Sequence, residues 1–144
     1  MIETLPIVHC EQKGNNDCIY AVINMLCEYF NNERPFLMDE SITEDVPGDI
    51  NKLAELHNIR FEKLDLSDEN LRHALKLGFP ILIDANNSSH DGHALLIAGY
   101  DETGKYLVMD PASSGPAWTS VSNTLTVNGY AYNVIEVFLC RSLI

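Results

Sequence analysis

Between Ile19 and Phe30 the apolar side chains Ile19, Val22, Ile23, Leu26, Tyr29 and Phe30 recur at the spacing of one helix face. Tyr20, Ala21, Met25 and Cys27 fill the remaining sides. The pattern predicts a helix from about Asp17 to Phe30, apolar almost all round and therefore central and buried. Asn31-Asn32-Glu33-Arg34-Pro35 ends it. Residues 2–9 read as a short extended arm, and residues 36–48 carry no readable period.

Pro47-Gly48-Asp49 opens a second helix, with Ile50, Leu53, Ala54 and His57 on one face. Arg60 to Leu64 reads as a strand. Ser67-Asp68-Glu69 starts a third helix with acids in its first turn, Leu71, Ala74 and Leu75 form its apolar stripe, and Gly78 is its C′ residue.

From Phe79 the period shortens to that of strands. Pro80 to Ala85, Ala94 to Tyr100 and Lys105 to Met109 are strands. They are joined by a polar loop over residues 86–92 and a hairpin turn over residues 101–104. Asp110-Pro111 stops the third, residues 112–119 form a loop containing Trp118, and Thr124–Val127 with Tyr130–Leu139 makes a last hairpin about Asn128-Gly129. Helices first and an antiparallel sheet afterwards is the α+β pattern.

With 144 residues the expected organisation is one domain over residues 1–144 with a full core. A formal net charge of −12 excludes the basic face that nucleic acid or an anionic membrane would require. The start, Met1-Ile2-Glu3-Thr4-Leu5-Pro6, has neither the basic nor the apolar region of a signal peptide. No apolar run approaches the roughly 18–20 residues that span a bilayer. The expectation is a cytoplasmic protein, or one delivered into another cell as an effector. Cys10, Cys18, Cys27 and Cys140 show neither a paired motif nor zinc-like spacing, so no metal or organic cofactor is implied. Cys27 and Cys140 lie within apolar runs and read as buried thiols.

Cys18 is different, because it opens the central helix. Free backbone N–H groups and the positive end of the helix dipole favour a thiolate there. Asp17 is placed to cap the helix, although its charge beside the sulfur opposes the thiolate. His93 begins one strand and Asp110 ends the next, and an antiparallel hairpin brings those two ends together. The carboxylate would then orient the imidazole, whose other nitrogen would face the thiol. The Cys18 backbone N–H and the Gln12 side-chain amide are candidate donors to an oxyanion. His93 is preferred to His90 because it abuts the strand, whereas His90 lies in the loop. His57 and His73 sit on helix patterns as structural or solvated groups, and His9 is assigned no role. Trp118 is a candidate to cover the His–Asp pair or to fill ordinary core.

Gln12, then Asp17-Cys18, Gly92-His93 and Asp110-Pro111, in that order, resemble the papain-like cysteine peptidases. The closer resemblance is to the branch typified by bacteriocin-processing, double-glycine leader peptidases. The stretch from Leu71 to Ile83 resembles the helix and strand that precede the family histidine, and the similarity runs from about Gln12 to Pro111. Ile19 follows the cysteine where many relatives carry glycine. The resemblance implies a papain-like fold, with Cys18 as nucleophile, His93 as general base and acid, Asp110 as orienting residue and Gln12 as oxyanion donor. It also implies a peptide or protein substrate cleaved at a peptide or amide bond through a thioester. Relatives of this branch include deamidases and other acyl-transfer enzymes, so a glutamine deamidase or transferase using the same site is one alternative, and a non-catalytic peptide-binding module is another.

Overall fold

The computed structural model describes residues 2–14, 17–38 and 49–144. The first helix, α1, spans Cys18–Asn31, and every residue from Ile19 to Cys27 is buried, as the all-round apolar pattern predicts. It ends at Asn32 in the left-handed conformation (φ 62°), which asparagine tolerates better than most residues. The second helix, α2, spans Ile50–Glu55, and the Asp49 side chain caps it by accepting from the Asn51 N–H. Pro47 and Gly48, assigned to its start, lie outside the described residues. The third helix, α3 (Asp68–Lys76), is capped by Ser67, whose hydroxyl accepts from Asn70 N–H, and it buries Leu71, Ala74 and Leu75. Gly78 beyond it has φ 94°, the C′ geometry expected of a helix end.

The described strands form one eight-stranded antiparallel sheet. They are β1 (Glu3–Thr4), β2 (Ile59–Leu64), β3 (Ile81–Asn87), β4 (His90–Tyr100), β5 (Tyr106–Met109), β6 (Ala117–Thr119), β7 (Thr124–Val127) and β8 (Tyr130–Ser142). The order is β2-β8-β3-β4-β5-β6, with β1 added to β4 and β7 added to β8. Strand β8 is long enough to pair β7 through residues 130–133 and β2 through residues 137–142. The β7–β8 turn uses Asn128 (φ 52°) and Gly129 (φ 83°), the two positive-φ positions that an Asn-Gly hairpin turn demands. Thr119 Oγ1 donates to Thr126 O at 2.7 Å, so the far ends of the sheet, β6 and β7, meet.

Successive strand residues point to opposite faces, and here both faces are buried. Leu82, Ala94, Leu96 and Ala98 pack with α1 and α2 in one core. Ile81, Ile83, Leu95, Ile97, Val108 and Val137 pack with α3 and with Leu125 and Val127 in a second. That two-sided burial explains the near-continuous apolar runs of β3 and β4. A helix carrying Cys18, laid on an antiparallel sheet that carries His93 and ends at Asp110, is the α+β, papain-like layout implied by the resemblance.

The structure corrects two expected loops, and it also ends α2 at Glu55, before His57, and extends the last strand to Ser142. The polar loop over residues 86–92 is mostly strand, with Ser88-Ser89 alone linking β3 to β4. Asn86 and Asn87 are polar because the hairpin runs past the core. There they meet the start of β8, where Asn86 is in register with Asn133 and Asn87 Nδ2 donates to Ala131 O. The 112–119 loop also ends in a strand, since Ala117–Thr119 pairs with β5 as an edge. Its Trp118 is 40% exposed and opposite Leu107, so it does not fill the core.

Candidate active site

The loop from Gln12 delivers Cys18 to the first turn of α1. Asp17 precedes the helix with φ −94° and ψ 5°, and its carboxylate makes no capping bond to the helix. It accepts instead from the Gly14 N–H at 2.8 Å, which closes the loop on itself. The expected cap is thus replaced by a loop clasp. The Asp17 dihedrals lie outside the extended region from which an N-cap side chain normally reaches the helix N–H groups. Cys18 is half-buried against the first core, whereas Cys10, Cys27 and Cys140 are buried. Burial is the main cause that raises the Cys27 thiol to about 11 and the Cys140 thiol further, keeping both protonated and inert.

His93 sits near the start of β4, and Asp110 follows the end of β5. The hairpin between them brings His93 Nε2 to 2.7 Å from Asp110 Oδ1. Both residues are almost fully buried, at 5% and 1% exposure. The same carboxylate oxygen accepts from the Ala112 N–H at 2.9 Å. With Nε2 committed to Asp110, Nδ1 is the nitrogen left for Cys18, whose side chain also hydrogen-bonds His93. Burial pulls the imidazolium down, but hydrogen bonds and charge from Asp110 and Cys18 outweigh it and hold His93 up at about 9. The balance favours the charged imidazole relative to a free histidine.

Gln12 is anchored at both ends of its side chain's reach. Its backbone N–H donates to Pro111 O at 2.7 Å, and Nε2 donates to Gly14 O at 2.7 Å. Its Oε1 is buried with no hydrogen-bond partner among the described residues. The structure therefore brings Cys18, His93 and Asp110 into one hydrogen-bonded row and ties Gln12 to the segment that follows Asp110. Asn15 and Asn16, part of the loop motif, lie outside the described residues, as does the side chain of His90.

The other histidines are placed elsewhere. His57 packs edge-on against Phe36 with ring centroids 4.9 Å apart, and His73 is exposed in the last turn of α3. His9 Nε2 is 2.7 Å from Ser113 O, so it fastens the arm to the turn after Asp110.

Sequence reasoning missed Tyr132. Its ring stacks on His93 with centroids 5.2 Å apart and planes 16° from parallel. It comes from β8, two strands away from β4, and no motif marks it. The only available signal was its place in the alternation of a strand whose register was unknown. Among the described residues no cluster of three or more His, Cys, Asp or Glu side chains could hold a metal, and no helix is long and apolar enough to cross a membrane.

A nucleophile-capable sulfur at a helix start, an imidazole between it and a buried carboxylate, and an amide nearby can support acyl transfer. A family model described as "Peptidase_C39 like family" matches residues 4–135. No curated protein matches the chain.

Proposed function

The chain belongs to the Peptidase_C39 like family, and from that premise we propose that it is a thiol hydrolase cleaving a peptide or amide bond through a thioester. One observation carries the reading: the buried His93 imidazole lies 2.7 Å from the Asp110 carboxylate through Nε2 and also bonds the side chain of Cys18 at the first turn of a helix. That is the arrangement in which an imidazole can take the thiol proton and pass it to a leaving amine.

In this mechanism the Cys18 sulfur attacks the substrate carbonyl carbon. The Cys18 backbone N–H and the second N–H on Gln12 Nε2 donate to the oxyanion that develops. His93 gives its proton to the leaving amine, and the tetrahedral adduct collapses to a thioester on Cys18. Neutral His93 then takes a proton from water, the hydroxide adds to the thioester, and the acid product leaves as the Cys18–His93 pair is restored. Asp110 keeps the imidazole oriented throughout.

The test begins with the thiol. Brief treatment with iodoacetamide followed by peptide mapping should modify Cys18 at least about ten-fold faster than Cys10, Cys27 or Cys140. Incubation with a peptide library should then give cleaved products that disappear in a folded Cys18→Ala variant. Products with deamidated glutamine and no chain cleavage would move the reaction to the side-chain amide. Turnover that survives Cys18→Ala would remove the thiol mechanism altogether.

A further inference from the structure

Tyr132 stacks against the proposed catalytic row, and the mechanism above leaves it unused. It is 4% exposed and belongs to the second core with Leu95 and Val127. Its strand does not touch β4, because β3 runs between them. The register shows how the ring arrives. Ala85 pairs with His93 on one side and with Val134 on the other, and Tyr132 lies two residues from Val134 on the same face. Alanine at that middle position offers a single methyl, which leaves the space above β3 that the ring crosses to reach the imidazole.

We propose that Tyr132 is a positioning residue: its ring backs the His93 imidazole face to face and holds Nε2 on Asp110 and Nδ1 on Cys18. The inference rests on the hydrolase reading and deepens it. An imidazole with one bond at each nitrogen can still rock about the line joining them, and a parallel ring at this spacing opposes that rocking. The face of an aromatic ring also favours the charged imidazolium over the neutral form. The titratable groups facing the imidazole are Asp110 from the end of β5, Cys18 from α1 and Tyr132 itself from β8. The phenol stays neutral, since burial first, and then the charges of Asp110, Tyr130 and Cys18, push it up to about 12. The ring, and not an ionised oxygen, is therefore what His93 meets.

The experiment needs no substrate. Iodoacetate, an anion, alkylates a thiolate fastest while the neighbouring imidazole is charged, so its rate falls at alkaline pH as His93 loses its proton. Tyr132→Phe keeps the ring and should reproduce the wild-type profile. Tyr132→Leu should slow alkylation of Cys18 several-fold and move the alkaline limb acidward by about half to one pH unit. A folded Tyr132→Leu with the wild-type profile overturns the proposal, as does a Tyr132→Phe impaired as much as Tyr132→Leu. Should Tyr132→Leu lose its near-UV circular dichroism, NMR of the wild type and of Tyr132→Phe decides: the carbon-bound His93 ring protons should lie upfield under the ring current, and ordinary positions overturn the stacking role. A wild-type protein whose Cys18 shows no enhanced, pH-dependent alkylation removes the hydrolase reading and the positioning role with it. A wild-type protein with enhanced, pH-dependent alkylation that Tyr132→Leu leaves unchanged removes the positioning role alone.

Discussion

Replacing Asp110 by asparagine separates the charge of the buried His93–Asp110 pair from its shape. In the wild type His93 is held from 6.5 up to about 9. At about 1.4 kcal/mol per pH unit, that amounts to roughly 3 kcal/mol of extra affinity for the proton. Asparagine can still accept the Nε2–H through its side-chain oxygen. Hydrogen bonds to charged groups contribute about 1.5–3 kcal/mol and neutral ones about 1, so the substitution removes about 1–2 kcal/mol and lowers the imidazole by roughly one pH unit. The sign for stability follows from the direction of the shift. A histidine raised on folding contributes stability that is complete below its unfolded value of 6.5 and is lost as pH rises through about 9. Read in a Cys18→Ser background, which takes the thiol's own proton out of the balance, unfolding free energy should fall with rising pH from about 6.5, and by about 1–2 kcal/mol less when Asp110→Asn is added. Above about pH 9 the buried Cys27 thiol, raised to about 11, adds a loss of the same sign, so the comparison belongs below that pH. Urea unfolding at a series of pH values, with iodoacetate alkylation of Cys18 in parallel, measures both effects. An alkaline limb that stays in place in Asp110→Asn, or a Cys18→Ser stability that falls equally with and without Asp110→Asn between about pH 6.5 and 9, would refute the reasoning.

Two further substitutions probe the frame around the site. Asn24, fully buried in α1, donates to Phe36 O and accepts from Phe36 N–H, both at 2.9 Å, and Asn24→Leu strips both groups of their partner. The expected cost is about 2–3 kcal/mol in urea unfolding, and no loss would mean that the bonds are replaced by water. Gly99→Ala would place its Cβ 2.5 Å from the Glu3 carbonyl oxygen, so the arm must shift or detach from β4. Limited proteolysis should then cut near residues 2–9 sooner than in the wild type, and an unchanged cleavage time would show that the arm yields without leaving.

The meeting of Cys18, His93 and Asp110 was legible in the sequence because each sits beside a local signal. Cys18 opens an apolar helix, His93 stands near the start of a strand, and Asp110 precedes a proline that ends one. The convergence of His93 and Asp110 followed from a short turn and antiparallel pairing alone. What failed depended on partners distant in sequence. Asn86 and Asn87 look like loop residues until β8 is known to run beside them, and Ala117–Thr119 is too short to declare itself a strand without β5. Trp118 was singled out by chemical type, yet the aromatic ring over His93 is Tyr132, delivered by a register that no local pattern specifies. The Asp17 cap failed for a smaller reason: an acceptor before a helix has two sets of N–H groups to choose from, and here the loop's Gly14 won.

The Asp110-Pro111 step links parts of the site that the chain otherwise keeps far apart. Proline restricts the residue before it to extended dihedrals, which fixes where the Asp110 carboxylate points as β5 ends. Oδ1 then accepts from both His93 and the Ala112 N–H, while one residue on Pro111 O accepts the Gln12 N–H. Proline offers no N–H of its own, so its carbonyl is the one backbone group it has to place, and it places it on the loop that leads to Cys18. His9 adds a second tie from the arm to Ser113, three residues beyond Asp110. One turn thus carries the proposed orienting carboxylate and also anchors the loop that carries the proposed oxyanion donor and nucleophile. A displacement of that turn would move base and nucleophile loop together rather than apart. Pro111→Ala should accordingly relax both: alkylation of Cys18 should slow and its alkaline limb should move acidward in the same variant. A change in one of these without the other would show that the turn does not couple them.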